Sequence, residues 1–124
     1  MSATLHVLSN GLKLVCDPVP GLRSLAVAVM ADGGARHEDE ARSGWSHLLE
    51  HMVFKGAGGR SARELIERIE AAGGSINAAT GQERTTFTAR VLAGDLELAL
   101  SSLSDLVFRP ALDADELERE KDVV

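Results

Sequence analysis

Cysteine is all but absent. A single thiol, Cys16, excludes an internal disulfide and fits a reducing compartment; its apolar neighbours lead one to expect a buried strand residue. Aromatic residues are scarce too, with three Phe, one Trp and no Tyr, so there is no stacking platform and the core must be aliphatic. Positive charge is in deficit. Thirteen Lys and Arg against 19 Asp and Glu give a formal net charge of −6, which argues against nucleic acid or an anionic membrane as the main partner. No apolar window reaches the length of a membrane span, and Met-Ser-Ala-Thr-Leu-His has no basic stretch feeding an apolar run. A cytoplasmic protein without a secretory signal is expected.

What is present is an ordinary globular balance. With 44% hydrophobic and 26% charged residues over 124 positions, one domain with a modest core is possible. Thr4 to Leu8 and Leu12 to Cys16 flank Ser9-Asn10-Gly11, a hairpin signal. Leu25, Val27 and Val29 alternate with Ala up to Asp32-Gly33-Gly34, so a third strand ends there. The glycine pair lacks the following Lys-Ser/Thr of a phosphate loop. From Ser43 the period changes: Trp45, Leu48, Leu49 and Met52 form the apolar stripe of an amphipathic helix, ended by the glycines of 56–59. Ser61 and Glu64 make a capping box for a second helix that stops at Gly73-Gly74. Ser75 to Thr80 and Arg84 to Leu92 read as strands. Asp95 caps a third helix that stops before Pro110, and Asp113 caps a fourth, with Leu112 and Leu117 as a hydrophobic staple. This order predicts an α+β fold, helices packed on a mainly antiparallel sheet. The fourth helix has no stop signal before Val124, so residues 1–124 are expected to be the N-terminal portion of one domain, cut within its last helix.

The chemistry lies on the first helix. His47 and His51 are four residues apart and Glu50 lies between them, so all three share one helix face, opposite the apolar stripe. Two imidazoles are good zinc ligands, and a carboxylate beside them can take a proton from a water activated by the metal. Glu50 is then the base, and Phe54, one turn past His51, is a candidate to line the cleft. The alternative is a solvated face on which these residues have no shared task. His6 and His37 have no such partners. A catalytic zinc takes three protein ligands, and Glu120 draws the eye because it interrupts the apolar stripe of the last helix between Leu117 and Val124. A carboxylate there calls for a cation or a hydrogen-bonded site.

The run Gly44-Trp45-Ser46-His47-Leu48-Leu49-Glu50-His51-Met52-Val53-Phe54-Lys55-Gly56 resembles the active-site segment of the M16 (pitrilysin and mitochondrial processing peptidase-like) metallopeptidases, the inverzincins. The likeness continues through Ala72-Gly73-Gly74-Ser75-Ile76-Asn77-Ala78-Ala79-Thr80 and Glu116-Leu117-Glu118-Arg119-Glu120-Lys121-Asp122-Val123-Val124. It implies a zinc-dependent endopeptidase with His47 and His51 as metal ligands, Glu50 as base and Glu120 as a supporting carboxylate. The family's glutamate ligand falls two helical turns beyond Glu120, roughly seven residues on, past Val124. These residues alone are therefore expected to be inactive. The resemblance also implies a peptide substrate lying as an added strand along Ser75, Asn77 and Ala78, and a homologous second half or subunit as partner. A non-catalytic subunit or scaffold of the same fold, a self-associating piece, and a zinc hydrolase acting on other substrates are the competing readings.

Overall fold

The Asn-Gly signal is realised as a hairpin. β1 (Thr4–Val7) pairs antiparallel with β2 (Lys13–Cys16), and Gly11 takes the positive φ, 87°, that the turn needs. In the computed structural model, which describes residues 2–124, this hairpin is a sheet of its own and every residue in it is exposed. Cys16 thus lies in a strand as expected, yet it is exposed rather than buried. The hairpin satisfies its backbone by pairing with itself, and no described element covers either face.

The remaining elements follow as β3 (Ser24–Ala31), α1 (Trp45–Val53), β4 (Gly56–Ala57), β5 (Arg60–Ser61), α2 (Ala62–Ala71), β6 (Ser75–Thr80), β7 (Thr85–Leu92), α3 (Leu96–Phe108) and α4 (Ala114–Lys121). The main sheet is antiparallel with strand order β3–β7–β6, and β4 and β5 form a small hairpin after α1. β7 is central because both its edges are paired. Its alternate residues Phe87, Ala89 and Val91 are buried and meet Leu65 and Ile69 of α2, Ala99, Leu103 and Leu106 of α3, and Val53 of α1. Three helices thus cover one face of the sheet, the α+β layer that the element order predicts. Each fully buried Leu or Ile there contributes about 1.5–3 kcal/mol.

Local signals decide where the helices start. Ser61 Oγ accepts from the Glu64 N–H while the Glu64 carboxylate accepts from the Ser61 N–H, closing the capping box of α2. Asp113 accepts from the N–H groups of Asp115 and Glu116 at the start of α4. Asp95 differs: it holds the N-cap position of α3 without a side-chain cap bond, because a short helical turn, Ala93–Asp95, already leads the backbone in. Gly34 serves packing rather than phosphate binding. A Cβ there would come within 2.4 Å of the Gly81 carbonyl oxygen, and Ala35 and Arg36 donate to the carbonyls of Gly81 and Gln82. The segment before α1 is thereby pinned to the turn joining β6 and β7.

The apolar stripe of α1 is only partly covered. Met52 is buried, but Trp45 and Leu49 are 59% and 49% exposed. They line an open groove of about 530 Å³ with Leu112 and Leu117. No described helix is long and apolar enough to cross a membrane.

Candidate metal and catalytic site

α1 starts at Gly44, which is left-handed (φ 87°) and has no side chain to cap the free N–H groups of the first turn. Glu38 does this from outside the helix: its two carboxylate oxygens accept from the Gly44 N–H at 2.7 Å and the Ser46 N–H at 2.8 Å. A negative group at a helix N-terminus is favoured by the backbone dipole as well. The donations from Ser46 and then Gly44 hold the Glu38 carboxyl below its ordinary range. Because the folded-state value is the lower one, the contribution to stability is full at neutral pH and is lost as pH falls through that value. Glu38→Gln is expected to lower the thermal midpoint at pH 7. The difference from the native protein should shrink once the pH is below about 4. Equal midpoints at pH 7 would show that the cap contributes nothing.

With α1 anchored, its four-residue spacing does what a helix dictates. The ring centroids of His47 and His51 are 4.6 Å apart and perpendicular, and their Nε2 atoms are separated by 3.0 Å. One possible ligand atom from each of His47, Glu50 and His51 lies within 4.8 Å of the others. His47 is exposed and the other two are half-buried. The sequence-predicted cluster is therefore brought together. No other His, Cys, Asp or Glu joins it among the described residues.

α4 adds the second layer. Glu120, only 6% exposed, has Oε2 2.9 Å from His51 Nδ1 and Oε1 2.8 Å from Lys55 Nζ. The Lys55 ammonium first, and the His51 donation second, hold the Glu120 carboxyl low despite its burial. An ionised Glu120 needs Nδ1 of His51 to be a donor, and a neutral imidazole then has a bare lone pair at Nε2. That lone pair faces Nε2 of His47 at 3.0 Å. Two imidazole nitrogens so aimed need a proton or a cation between them, so the donor set fits a metal such as zinc. Glu120 itself is engaged by Lys55 and His51, which suits a supporting carboxylate rather than a ligand.

Of the other sequence candidates, Ser75 and Asn77 are exposed on β6, and Asn77 Oδ1 accepts from the Ala78 N–H at 2.9 Å. Ala78 is half-buried, and with Phe54 it packs against the core. β6 pairs with β7 alone, so its outer edge is free among the described strands. Glu38, Lys55 and Thr80, which donates to Glu50 Oε2, escape sequence reasoning. Glu38 sits in the charged run Glu38-Asp39-Glu40, whose composition points only to a solvated loop.

The family profile described as Insulinase (Peptidase family M16) matches residues 19–124. The chain belongs to the M16 peptidase family. Among the relatives of this M16 chain, an uncharacterized zinc protease of Bacillus subtilis, YmxG, is 41% identical over 119 residues, 96% of this chain and 29% of that protein. A probable mitochondrial-processing peptidase subunit beta of Arabidopsis thaliana is 38% identical over 117 residues, 94% of this chain and 22% of the relative. In shape, a protease from Helicobacter pylori superposes with a TM-score of 0.92 at 28% identity, over 98% of this chain and 30% of that one. Pitrilysin gives 0.84 at 32% identity, over 98% and 13%. The M16 segment thus spans less than a third of each of these proteins. Its His47, Glu50 and His51 fit the inverted His-x-x-Glu-His pattern.

Proposed function

We propose that the protein to which this chain belongs is a zinc-dependent endopeptidase. The observation that carries the reading is the convergence of His47, Glu50 and His51 on one face of α1, with one possible ligand atom of each within 4.8 Å of the others and the two Nε2 atoms 3.0 Å apart, in a chain of the M16 family. His47 and His51 would hold the metal through Nε2. A catalytic zinc usually has three protein ligands, and the third is assigned to residues past Val124. When bound, zinc supplies Lewis-acid polarisation of the scissile carbonyl and a lowered pKa for the attacking water.

The remaining work falls to this chain's own groups. Glu50 accepts a proton from the water whose oxygen bonds to the carbonyl carbon. It returns that proton to the amide nitrogen as the carbon–nitrogen bond breaks, so a carboxylate and an amine leave. Glu120 keeps the His51 ring turned so that Nε2 faces the metal position. The free edge of β6 suits a peptide backbone adding as a strand along Ser75, Asn77 and Ala78. A homologous second half or subunit would close the site from the other side.

The test uses the full-length protein and an internally quenched peptide. Cleavage should disappear when a chelator strips the metal and return when one equivalent of zinc is added. A zinc-loaded protein that cleaves no peptide in a broad library would overturn the reading.

A further inference from the structure

We propose that Thr80 is a positioning residue for Glu50, tying the carboxylate of the base to the strand along which a peptide would lie. This rests on the peptidase reading but is carried by a different observation. Along β6 the side chains alternate: Ser75, Asn77 and Ala79 are exposed, while Ile76, Ala78 and Thr80 turn toward the helices and are half-buried. Ile76 and Ala78 use that placement to pack on the core. Thr80 brings a hydroxyl there instead.

Its Oγ1 donates to Glu50 Oε2 and stands 3.5 Å from the Ser46 carbonyl oxygen. A threonine hydroxyl has one proton to give. The carboxylate is the nearer and the charged acceptor, so it receives the bond. One oxygen of Glu50 is thereby anchored, and the other stays free for a water. The anchor is rigid at its own end. Threonine is restricted at χ1 by its β-branch, and Thr80 pairs with Thr85 of the central strand β7, beside the turn closed by the Gly81 N–H to Arg84 carbonyl bond of 2.8 Å.

A glutamate on a helix surface has three rotatable bonds, and an unanchored carboxylate spreads over many rotamers. Glu50 is held from across the sheet–helix junction, by the last residue of the free-edged strand. A peptide adding to β6 and the base that acts on it would then share one rigid support. Misplacement of a reacting group by about 1 Å can cost on the order of 100-fold in rate.

The test uses the full-length, zinc-loaded enzyme with two substitutions that keep the β-strand shape. Thr80→Val removes the hydroxyl and is expected to lower kcat by roughly 10- to 100-fold, with KM and zinc content unchanged. Thr80→Ser restores a hydroxyl and should recover kcat to within a fewfold of the native rate. In the metal-free protein, thermal midpoints of Thr80→Val, Glu50→Ala and the double variant should be non-additive, because the two side chains share one interaction. Native kcat in Thr80→Val, or equal losses in the Val and Ser variants, would overturn the positioning role. Additive midpoints would overturn the contact itself. If the native enzyme cleaves nothing while the midpoints are non-additive, it is the peptidase reading that fails, and the positioning role falls with it although the contact stands.

Discussion

Glutamine in place of Glu50 is expected to lower kcat of the full-length enzyme by about 10²- to 10⁴-fold, while zinc content and the thermal midpoint stay close to native. The side chain keeps its length and its carbonyl oxygen, so it can still accept from Thr80, but it cannot take up a proton from water. Only the capacity to accept that proton is removed. The assignment has physical support in the surroundings of each group: the Nε2 atoms of the two imidazoles lie 3.0 Å apart, and Glu50 is the carboxylate that clusters with both, one ligand atom of each of the three within 4.8 Å of the others. Unchanged turnover in Glu50→Gln would mean that the proton is carried by another group, and Glu120 would be the next to test. Its two oxygens are already engaged by Lys55 and His51, which is why it ranks behind Glu50.

How much of this site was legible beforehand depended on whether the signal was local. The His47–Glu50–His51 spacing, the capping box of α2 and the Asp113 cap are set by residues within a few positions of one another, and each is realised in the structure. β6 spans Ser75–Thr80 as its sequence implied. Glu120 stood out because a carboxylate interrupts an apolar stripe, and burial beside His51 explains it.

What stayed hidden are partners chosen by tertiary placement. Lys55 looks like any helix-end lysine until α4 brings Glu120 to it. Thr80 is an ordinary strand threonine until α1 crosses its face. Glu38 reaches across to Gly44 and Ser46 only because the preceding segment is pinned to the β6–β7 turn through Gly34. The exposure of Cys16, Trp45 and Leu49 has the same origin. Hydropathy pattern says that a side chain suits burial, and says nothing of which element covers it.

The second large effect is expected at Glu120. Glu120→Ala should weaken zinc binding by about 10- to 100-fold, the usual cost of removing a group that orients a metal-ligating histidine. The loss comes from His51: without an acceptor at Nδ1, 2.9 Å away in the native site, the ring is free to rotate and to adopt the tautomer that protonates Nε2. Lys55 is left without its ion-pair partner as well, but its side chain is 36% exposed and can turn to water, so stability should suffer less than affinity. Glu120→Gln separates the two contributions. Its amide oxygen can still accept from Nδ1, though a neutral acceptor is weaker than a carboxylate, and affinity should fall between the native and alanine proteins. Competition with a chromophoric chelator measures all three. If alanine binds zinc as tightly as glutamate, the His51 ring is held by packing alone, and Glu120 is buried for the sake of Lys55 and the junction of α1 with α4.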